Sequence, residues 1–493
     1  MIRFGPRLAR FSKGPTALAV LLTCLAFSSS EAFPQSSELQ QLKDKVQQLE
    51  QTAQELKAQI ALLEKNHRND AETQAQPAPA QISPQRHTGT ATQQRETAGQ
   101  NETTVARINN EEIAPELKGF LRLPTTQTLV RFGGFVKTDF FYDLNYAGSY
   151  YGAYVPSSFP SAPQPKTQNS TVSARASRFN IEFRQPSVRG SDVKAYIEFD
   201  FLGNYDRNSL RLRHFYAQWK NILLGQYWSA FGDPDAFPDT LEFEGPPGIM
   251  GVRQPQIRYT YALNHRHSVG GSVEKSGTDT PFSTQFGAPV GVSHRPDLIG
   301  FYRYENSYGH LHAAVISRSV GGFIPNTPNP ALSAQVNGYG GSLSGAWRFT
   351  SKSRDNIVFQ AIIGKGIANY YNDNFGLGSD VGGSADGRVV ATPTGSFSTG
   401  LQHYWTREFR STVSYGYLRI NNTARDPDTN YHISNYATAN IIYQPTESFL
   451  FGAEYIYGSV ERKNGFKWIA PRIQLGATYY INKYPRNDNK DGQ

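Results

Sequence analysis

The fold is decided by a stretch near the end of the chain, Ile469-Ala470-Pro471-Arg472-Ile473-Gln474-Leu475-Gly476-Ala477-Thr478-Tyr479-Tyr480-Ile481. Its odd-numbered positions are apolar, whereas its even-numbered positions include Arg472, Gln474 and Thr478. Successive side chains of a β-strand point to opposite faces. The stretch therefore predicts a strand with one apolar face and one polar face.

Runs with this alternation recur sixteen times between residues 129 and 481. The segments that connect them are long and short in turn: 145–171 and 230–254 are long, whereas 219–221 and 444–447 are short. Membrane barrels sort their connections in this way, with long loops at one membrane surface and tight turns at the other. The sequence therefore predicts an all-β transmembrane barrel of about 16 antiparallel strands. A soluble β-sandwich has no reason to sort its loops by length.

The composition is compatible with a barrel although its hydropathy is low. The 493 residues carry a net charge of +8, 38% of them are hydrophobic, and the mean hydropathy is −0.52. A barrel hides half of each strand in a polar lumen, which dilutes the average. Beyond the N-terminus, no apolar run approaches the roughly 18 residues that a membrane-spanning helix needs. The 28 Tyr, 30 Phe and 44 Gly suit membrane interfaces and tight turns.

The chain outside the barrel divides into four segments. Residues 1–32 are predicted to be a signal peptide, because basic residues precede an apolar stretch and small residues. Residues 37–65 are predicted to form a short, oligomerising N-terminal α-helical coiled coil, and residues 66–118 a flexible linker leading to the barrel at 119–481. Residues 482–493 form a C-terminal extension. The heptad a and d positions of the coiled coil are Leu39, Leu42, Val46, Leu49, Ala53, Leu56, Ile60 and Leu63.

Arginines at polar positions of the strands are predicted to line the lumen. Sixteen strands enclose a water-filled channel, so its function depends on the side chains that point inward. An arginine facing lipid near the midplane would cost about 2 to 4 kcal/mol. The alternation accordingly places Arg178 and Arg184 inward, and it favours the same direction for Arg211, Arg213 and Arg258.

The connection 230–254 is acidic and stiffened by prolines. We expect it to fold into the barrel as a constriction loop, with its acids facing the arginines across a narrowed passage. Anions would follow the basic wall of that passage. The alternative is that these acids belong to a solvated surface loop and that the arginines only neutralise luminal carboxylates. The acidic residues concerned are Asp233, Asp235, Asp239, Glu242 and Glu244.

Signals for catalysis, cofactors and nucleic-acid binding are weak. His214, His403 and His432 are scattered without metal-ligand spacing, and no Gly-X-Ser-X-Gly elbow is present. The sole cysteine, Cys24, lies in the predicted signal peptide. The arginines are dispersed over many strands rather than clustered, which does not favour nucleic acid as a partner. We therefore predict a protein without enzymatic activity, cofactor or metal.

Several stretches taken in order resemble the DcaP-like porins of Gram-negative outer membranes. The resemblance implies a homotrimer of 16-stranded barrels in outer-membrane lipid, a periplasmic coiled coil, and passive uptake of small anions such as dicarboxylates. It also adds Arg253 to the luminal candidates. The matching stretches are Gly119-Phe120-Leu121-Arg122-Leu123-Pro124, Ser177-Arg178-Phe179, Arg211-Leu212-Arg213-His214, Gly225-Gln226-Tyr227-Trp228-Ser229, Arg253-Gln254-Pro255-Gln256-Ile257-Arg258-Tyr259 and Gln402-His403-Tyr404-Trp405.

Two alternatives to an anion-conducting porin remain open from the sequence. One is a general porin with weak selectivity. The other is a structural tether, in which the coiled coil engages the cell wall and peptidoglycan is the partner. A barrel hydrolase is disfavoured, because no Ser/His constellation is present.

Overall fold

A closed antiparallel barrel forms the part of the chain that the structure describes. The structure is a computed structural model, and it describes residues 119–148, 153–188, 191–203, 208–279, 290–323, 334–386 and 388–481. Within these residues sixteen strands pair with their sequence neighbours, and the last pairs with the first, so that Lys137 lies opposite Thr478. The predicted barrel is therefore confirmed. The strands are β1 Leu129–Asp143, β2 Arg178–Val188, β3 Ser191–Asp200, β4 Arg211–Trp219, β5 Ile222–Trp228, β6 Arg253–Ala262, β7 His267–Glu274, β8 Asp297–Asn306, β9 Gly309–Phe323, β10 Ala334–Arg348, β11 Asn356–Lys365, β12 Pro393–Tyr404, β13 Phe409–Ile420, β14 Tyr431–Tyr443, β15 Phe449–Arg462 and β16 Arg472–Ile481.

Short elements extend the barrel rim. Six of them are short strands that pair with a barrel strand or with each other, and single 3-10 turns lie in three of the connections. The described residues contain no α-helix, and none of their helical segments is long and apolar enough to span a membrane. The short elements are the strands Leu121–Arg122, Asn169–Ser173, Val290–Gly291, Lys467–Ile469 and the hairpin Val381–Gly383 with Val389–Ala391, and the 3-10 turns Pro156–Ser158, Pro234–Ala236 and Ala368–Tyr370.

The outer wall is apolar and the inner wall is polar, as the alternation predicts. On β16, Leu475 is 47% exposed, whereas its neighbours Arg472 and Gln474 are buried inside the barrel. Arg472 donates from Nε to Asp143 on β1 at 2.6 Å. Strand pairing satisfies the backbone of every barrel strand, which is the condition for crossing a bilayer.

The connections are long at one end of the barrel and short at the other. The segments 144–177, 229–252, 275–296 and 366–392 lie at the long-loop end, whereas only Lys220 and Asn221 separate β4 from β5. By the general rule for such barrels, the long loops face the outside of the cell and the short turns face the periplasm. The chain enters β1 and leaves β16 at the short-turn end.

Aromatic side chains of the long loops pack together inside the outer mouth. Tyr154, Phe159, Phe231, Tyr370 and Tyr371 are buried in one hydrophobic cluster. Arg318 on β9 is fully buried beside this cluster and donates to Asp297 at 2.9 Å and to Asp380 at 3.0 Å. The long loops are thus held against the barrel by packing and by a buried ionic network.

The segments predicted outside the barrel are not part of this description. The signal peptide at 1–32, the coiled coil at 37–65, the linker at 66–118 and the extension at 482–493 all lie outside the described residues. They remain predictions.

Candidate functional site: a basic wall and an inserted loop

The segment 229–252 between β5 and β6 lies inside the barrel and is called the inserted loop below. Its residues contact the inner faces of β8 to β16 in succession. Near its start, Phe231 O accepts a hydrogen bond from Ser342 on β10 at 3.0 Å. Near its end, Met250 N donates to Gln360 on β11 at 3.3 Å. The loop therefore covers one side of the lumen wall and narrows the passage.

Glycines on the inner wall allow the inserted loop to lie flat. A Cβ atom at Gly416 would lie 2.5 Å from the Cβ of Pro246, and one at Gly400 would lie 2.9 Å from the Cβ of Pro238. Such distances are far below van der Waals contact, so larger side chains would displace the loop. The missing side chains in the wall therefore make room for the prolines that stiffen the loop.

A buried ionic cluster anchors the first half of the inserted loop. Arg303 on β8 donates to Asp235 at 2.7 Å, to Asp233 at 3.2 Å and to Glu305 at 2.5 Å. His310 on β9 contacts the other oxygen of Asp233 at 2.8 Å. A guanidinium that serves three carboxylates is a strong anchor, because its donors form a rigid fork.

This cluster also contains a group of potential metal ligands. One ligand atom each from Asp233, Asp235 and His310 lies within 4.8 Å of the others. Arg303 already supplies positive charge to both carboxylates there. The group is therefore explained as an ion-paired anchor.

The second half of the inserted loop is anchored on β12 to β15. Arg410 and Gln402 both donate to Asp239 at 2.7 Å. Backbone N–H groups of Leu241 and Glu242 donate to the Glu454 carboxylate at 2.7 and 3.1 Å. These contacts connect the middle of the loop to strands on the far side of the barrel from β4.

Glu242 bridges loop segments through its side chain. Its carboxylate accepts hydrogen bonds from the N–H groups of Glu244, Gly245 and Tyr154, at 3.0, 2.9 and 3.3 Å. Burial, and after it the charge of Glu244, raises the pKa of this loop carboxyl to about 8. At neutral pH the protonated form of Glu242 is therefore favoured while the inserted loop lies in the barrel.

The orientation of the loop acids differs from the sequence prediction. The sequence predicts that they face the arginines of β2 to β6. Asp233 and Asp235 instead bind Arg303 on β8, and Asp239 binds Arg410 on β13. Toward the basic wall the loop presents aromatic rings instead. Phe237 lies edge-on to Trp228 at 5.6 Å between ring centroids, and Phe243 lies 4.9 Å from the guanidinium of Arg178.

Among the arginines predicted from the sequence, three pair with carboxylates of the same or a neighbouring strand. Arg213 donates to Glu198 at 2.8 Å and to Asp200 at 2.7 Å, and Arg211 also donates to Asp200 at 2.7 Å. Arg184 donates in the same way to Glu182 at 2.5 Å. The alternative in which arginines neutralise luminal carboxylates thus describes part of this wall.

The remaining three arginines have weaker or no ionic partners. Arg178 reaches Glu198 only at 3.8 Å. Arg258 donates to Gln256 and to the backbone of Trp228. Arg253 lies over the Trp228 ring at 4.3 Å and forms no ion pair among the described residues.

The basic wall, defined as strands β2 to β6, has a surplus of positive charge. These strands carry seven cationic side chains and four carboxylates, an excess of three charges. Arg253 is half-buried among Arg213, Arg211 and Arg178, whose charges act on it unfavourably. An anion entering beside Arg253 would relieve that repulsion.

Packed aromatic rings on the strands of the basic wall lie next to its cationic side chains. The rings of Tyr196, Tyr216, Tyr227 and Trp228 surround His214, which is fully buried. Its two ring nitrogens have no hydrogen-bond partner within the described part of the chain. Lys194 lies over the rings of Tyr196 and Tyr216. The arginines are therefore held on packed rings rather than on flexible loops.

A closed barrel of sixteen strands, with an apolar outside and a loop inside a charged lumen, is the architecture of a porin-type channel of the outer membrane. The chain belongs to the DcaP outer membrane protein family, whose model matches residues 121–481. That family and the barrel fold locate the protein in the outer membrane, and they are those of a channel rather than an enzyme.

A solved structure shows the same fold. The outer membrane channel DcaP of Acinetobacter baumannii is 22% identical, with a TM-score of 0.62, over 73% of this chain and 99% of that chain. An anion-selective porin from Comamonas acidovorans is 10% identical with a TM-score of 0.45, over 72% of this chain and 100% of that one. The search of curated proteins finds no significant match.

Proposed function

We propose that this protein is a porin through which small anionic solutes, such as dicarboxylates, diffuse passively across the outer membrane. The observation that carries the proposal is the asymmetry of the lumen. The basic wall has a surplus of positive charge, whereas the acids of the inserted loop are turned away from it toward Arg303 and Arg410. Anions thus meet cations without an opposing row of carboxylates.

Arginine is suited to carboxylate solutes for a physical reason. Its planar guanidinium can replace part of the hydration shell of a carboxylate with two parallel hydrogen bonds. Arg253 has no carboxylate partner among the described residues, and Arg178 has only a distant one. A solute with two carboxylates could contact two such arginines in succession. Binding at each must stay weak, because conduction requires release as well as entry.

Liposome swelling tests the solute class. Liposomes containing the protein would be placed in iso-osmolar succinate, in the neutral diol 1,4-butanediol, or in protonated 1,4-diaminobutane, which have similar lengths. The proposal predicts the fastest swelling with succinate and the slowest with the diamine. A general, weakly selective pore would rank these solutes by size alone. Faster entry of the diamine than of succinate would refute the proposal.

We also propose that the working form is a homotrimer that residues 37–65 help to assemble. The resemblance to DcaP-like porins and the heptad pattern support this assembly. On unheated gels the full chain should migrate as a trimer, and deletion of residues 37–65 should increase the monomer fraction. Monomer migration of the intact chain in unheated samples would contradict the proposal.

A further inference from the structure

A row of cations crosses the outer face of the barrel at its long-loop end. Arg295 donates to the hydroxyl of Ser317 on β9 at 2.8 Å, on the side that faces away from the lumen. Ser317 lies opposite Tyr339 on β10, and Tyr339 lies opposite Lys365 on β11. Lys365 places its Nζ atom 4.7 Å from the centre of the Tyr339 ring.

The row continues across β12 to β13. Lys365 lies opposite Pro393, and two residues further along β12, Gly395 lies opposite Arg419. Arg419 alternates with Val413 and Tyr415, which are exposed on the outer wall. Because neighbouring strands are about 4.8 Å apart, Arg295, Lys365 and Arg419 follow one another at steps of about 10 Å. These three residues are called the cationic row.

Beyond Arg419 the pattern changes. Arg419 lies opposite Ile433, which lies opposite Glu461, and Glu461 lies opposite Lys467. The carboxylate of Glu461 lies next to Lys467 in the register and offsets its charge. The cationic row differs, because no carboxylate lies opposite Lys365 or Arg419 in the register.

The cationic row has no ionic partner within the part of the chain that the structure describes. None of its three members forms an ion pair there; Arg295 and Arg419 make hydrogen bonds to neutral groups only. Arg419 is exposed, and the other two are partly exposed. Tyr339, 55% exposed, lies among them on the outer wall. Exposed tyrosines beside cations are typical of the depth at which lipid headgroups lie.

We propose that the cationic row binds the phosphate groups of a glycolipid headgroup in the outer leaflet. The row lies at the long-loop end, on the face that contacts lipid, and its charge is opposite to that of phosphate. Each cation near an anionic lipid surface strengthens binding by about fivefold. Steps of about 10 Å let separate phosphates of one large headgroup contact different cations, and the Tyr339 hydroxyl can bond to a sugar.

The test compares two pairs of substitutions with the same change of charge. The variant Lys365→Gln with Arg419→Gln removes two members of the row. The control Lys352→Gln with Arg407→Gln removes one lysine and one arginine from the short turns at the opposite end, where both side chains are exposed. Binding of bisphosphorylated lipid A to the full chain in neutral detergent would be measured by native mass spectrometry.

The proposal predicts about 25-fold weaker lipid A binding for the row variant. The control should bind like wild type, and the charge-conserving variant Lys365→Arg with Arg419→Lys should retain most of the affinity. Equal weakening in both Gln pairs, or none in the row variant, would overturn the proposal. Two further probes identify the chemistry: dephosphorylated lipid A should bind weakly, and phosphatidylglycerol should bind less tightly than lipid A. Equal binding of either probe would also overturn it.

Discussion

Replacing Arg253 by Gln removes a positive charge of the basic wall that has no ion pair among the described residues. The guanidinium lies 4.3 Å from the centre of the Trp228 ring, and the residue is only half-buried, so part of it remains accessible to a passing ion. Gln is shorter but keeps hydrogen-bonding groups without the charge.

The expected magnitude follows from the electrostatics of a hydrated passage. A unit charge at 4 Å contributes about 1 kcal/mol in water. Screening with a Debye length of about 10 Å at 0.1 M salt reduces this by about one third. Loss of the charge disfavours an anion and favours a cation by similar amounts, so the chloride-to-potassium permeability ratio should fall by about tenfold.

Planar-bilayer recordings under a potassium chloride gradient measure this ratio from the zero-current potential. The matched control is Arg388→Gln, which removes one arginine from an outer loop where the side chain is 84% exposed. The control should leave the ratio unchanged, since the charge is far from the basic wall and fully screened. The reasoning is refuted if Arg253→Gln has no effect, or if the control changes the ratio equally.

Three further outcomes are expected. Arg303→Gln leaves Asp233, Asp235 and Glu305 without their cation, which should lower the free energy of unfolding by about 3 to 5 kcal/mol. Thermal unfolding should then occur at a lower temperature, and single-channel conductance should rise. Unchanged values in both measurements would argue against the anchor. Because the pKa of Glu242 is raised, the inserted loop should be held most stably below pH 4.5 and less stably as the pH rises to about 8. Current fluctuations should increase over that range and become independent of pH in Glu242→Gln. A pH dependence that persists in the variant would exclude this group. Gly416→Val should displace Pro246 and raise conductance. Gly395→Val should not, because a Cβ atom there would meet nothing closer than 4.0 Å. Equal effects of the two substitutions would contradict the close packing of the loop.

Much of the barrel could be predicted because alternation is a local property. Each strand must satisfy lipid on one face and water on the other, so β16 shows its two faces in its own sequence. Where both faces of a strand carry aromatic side chains, the sequence does not predict which face lines the lumen. On β8, Phe301 faces inward whereas Tyr302 and Tyr304 lie on the outer face, so the alternation does not reveal which face of this strand is luminal. Arg303 was missed as a luminal residue for that reason.

β-Bulges also limit how well the alternation predicts the direction of a side chain. The register between β3 and β4 shifts between Glu198 and Phe199, so the neighbours Arg213 and His214 are both buried inside the barrel. Strict alternation would place one of them in lipid. Gly225 on β5 has a φ of 118°, and an added Cβ would lie 2.3 Å from Phe215 O, so this position requires glycine.

Insertion of the loop 229–252 could be predicted from its length, prolines and acids, but its partners could not. Which wall Asp233 and Asp239 face depends on contacts across the lumen, between residues about 70 to 170 positions apart in the chain, at Arg303 and Arg410. Charge alone suggested the nearer arginines of β4 and β6. In the structure, the arginines of β4 are bound by Asp200 and Glu198, and Arg253 on β6 packs on Trp228.

The zero-current potential of the wild-type channel in a potassium chloride gradient tests the central claim most directly. A surplus of positive charge on the basic wall predicts that chloride carries most of the current, with the sign of the potential set by the anion gradient. A potential of the opposite sign, showing preference for potassium, would contradict the account.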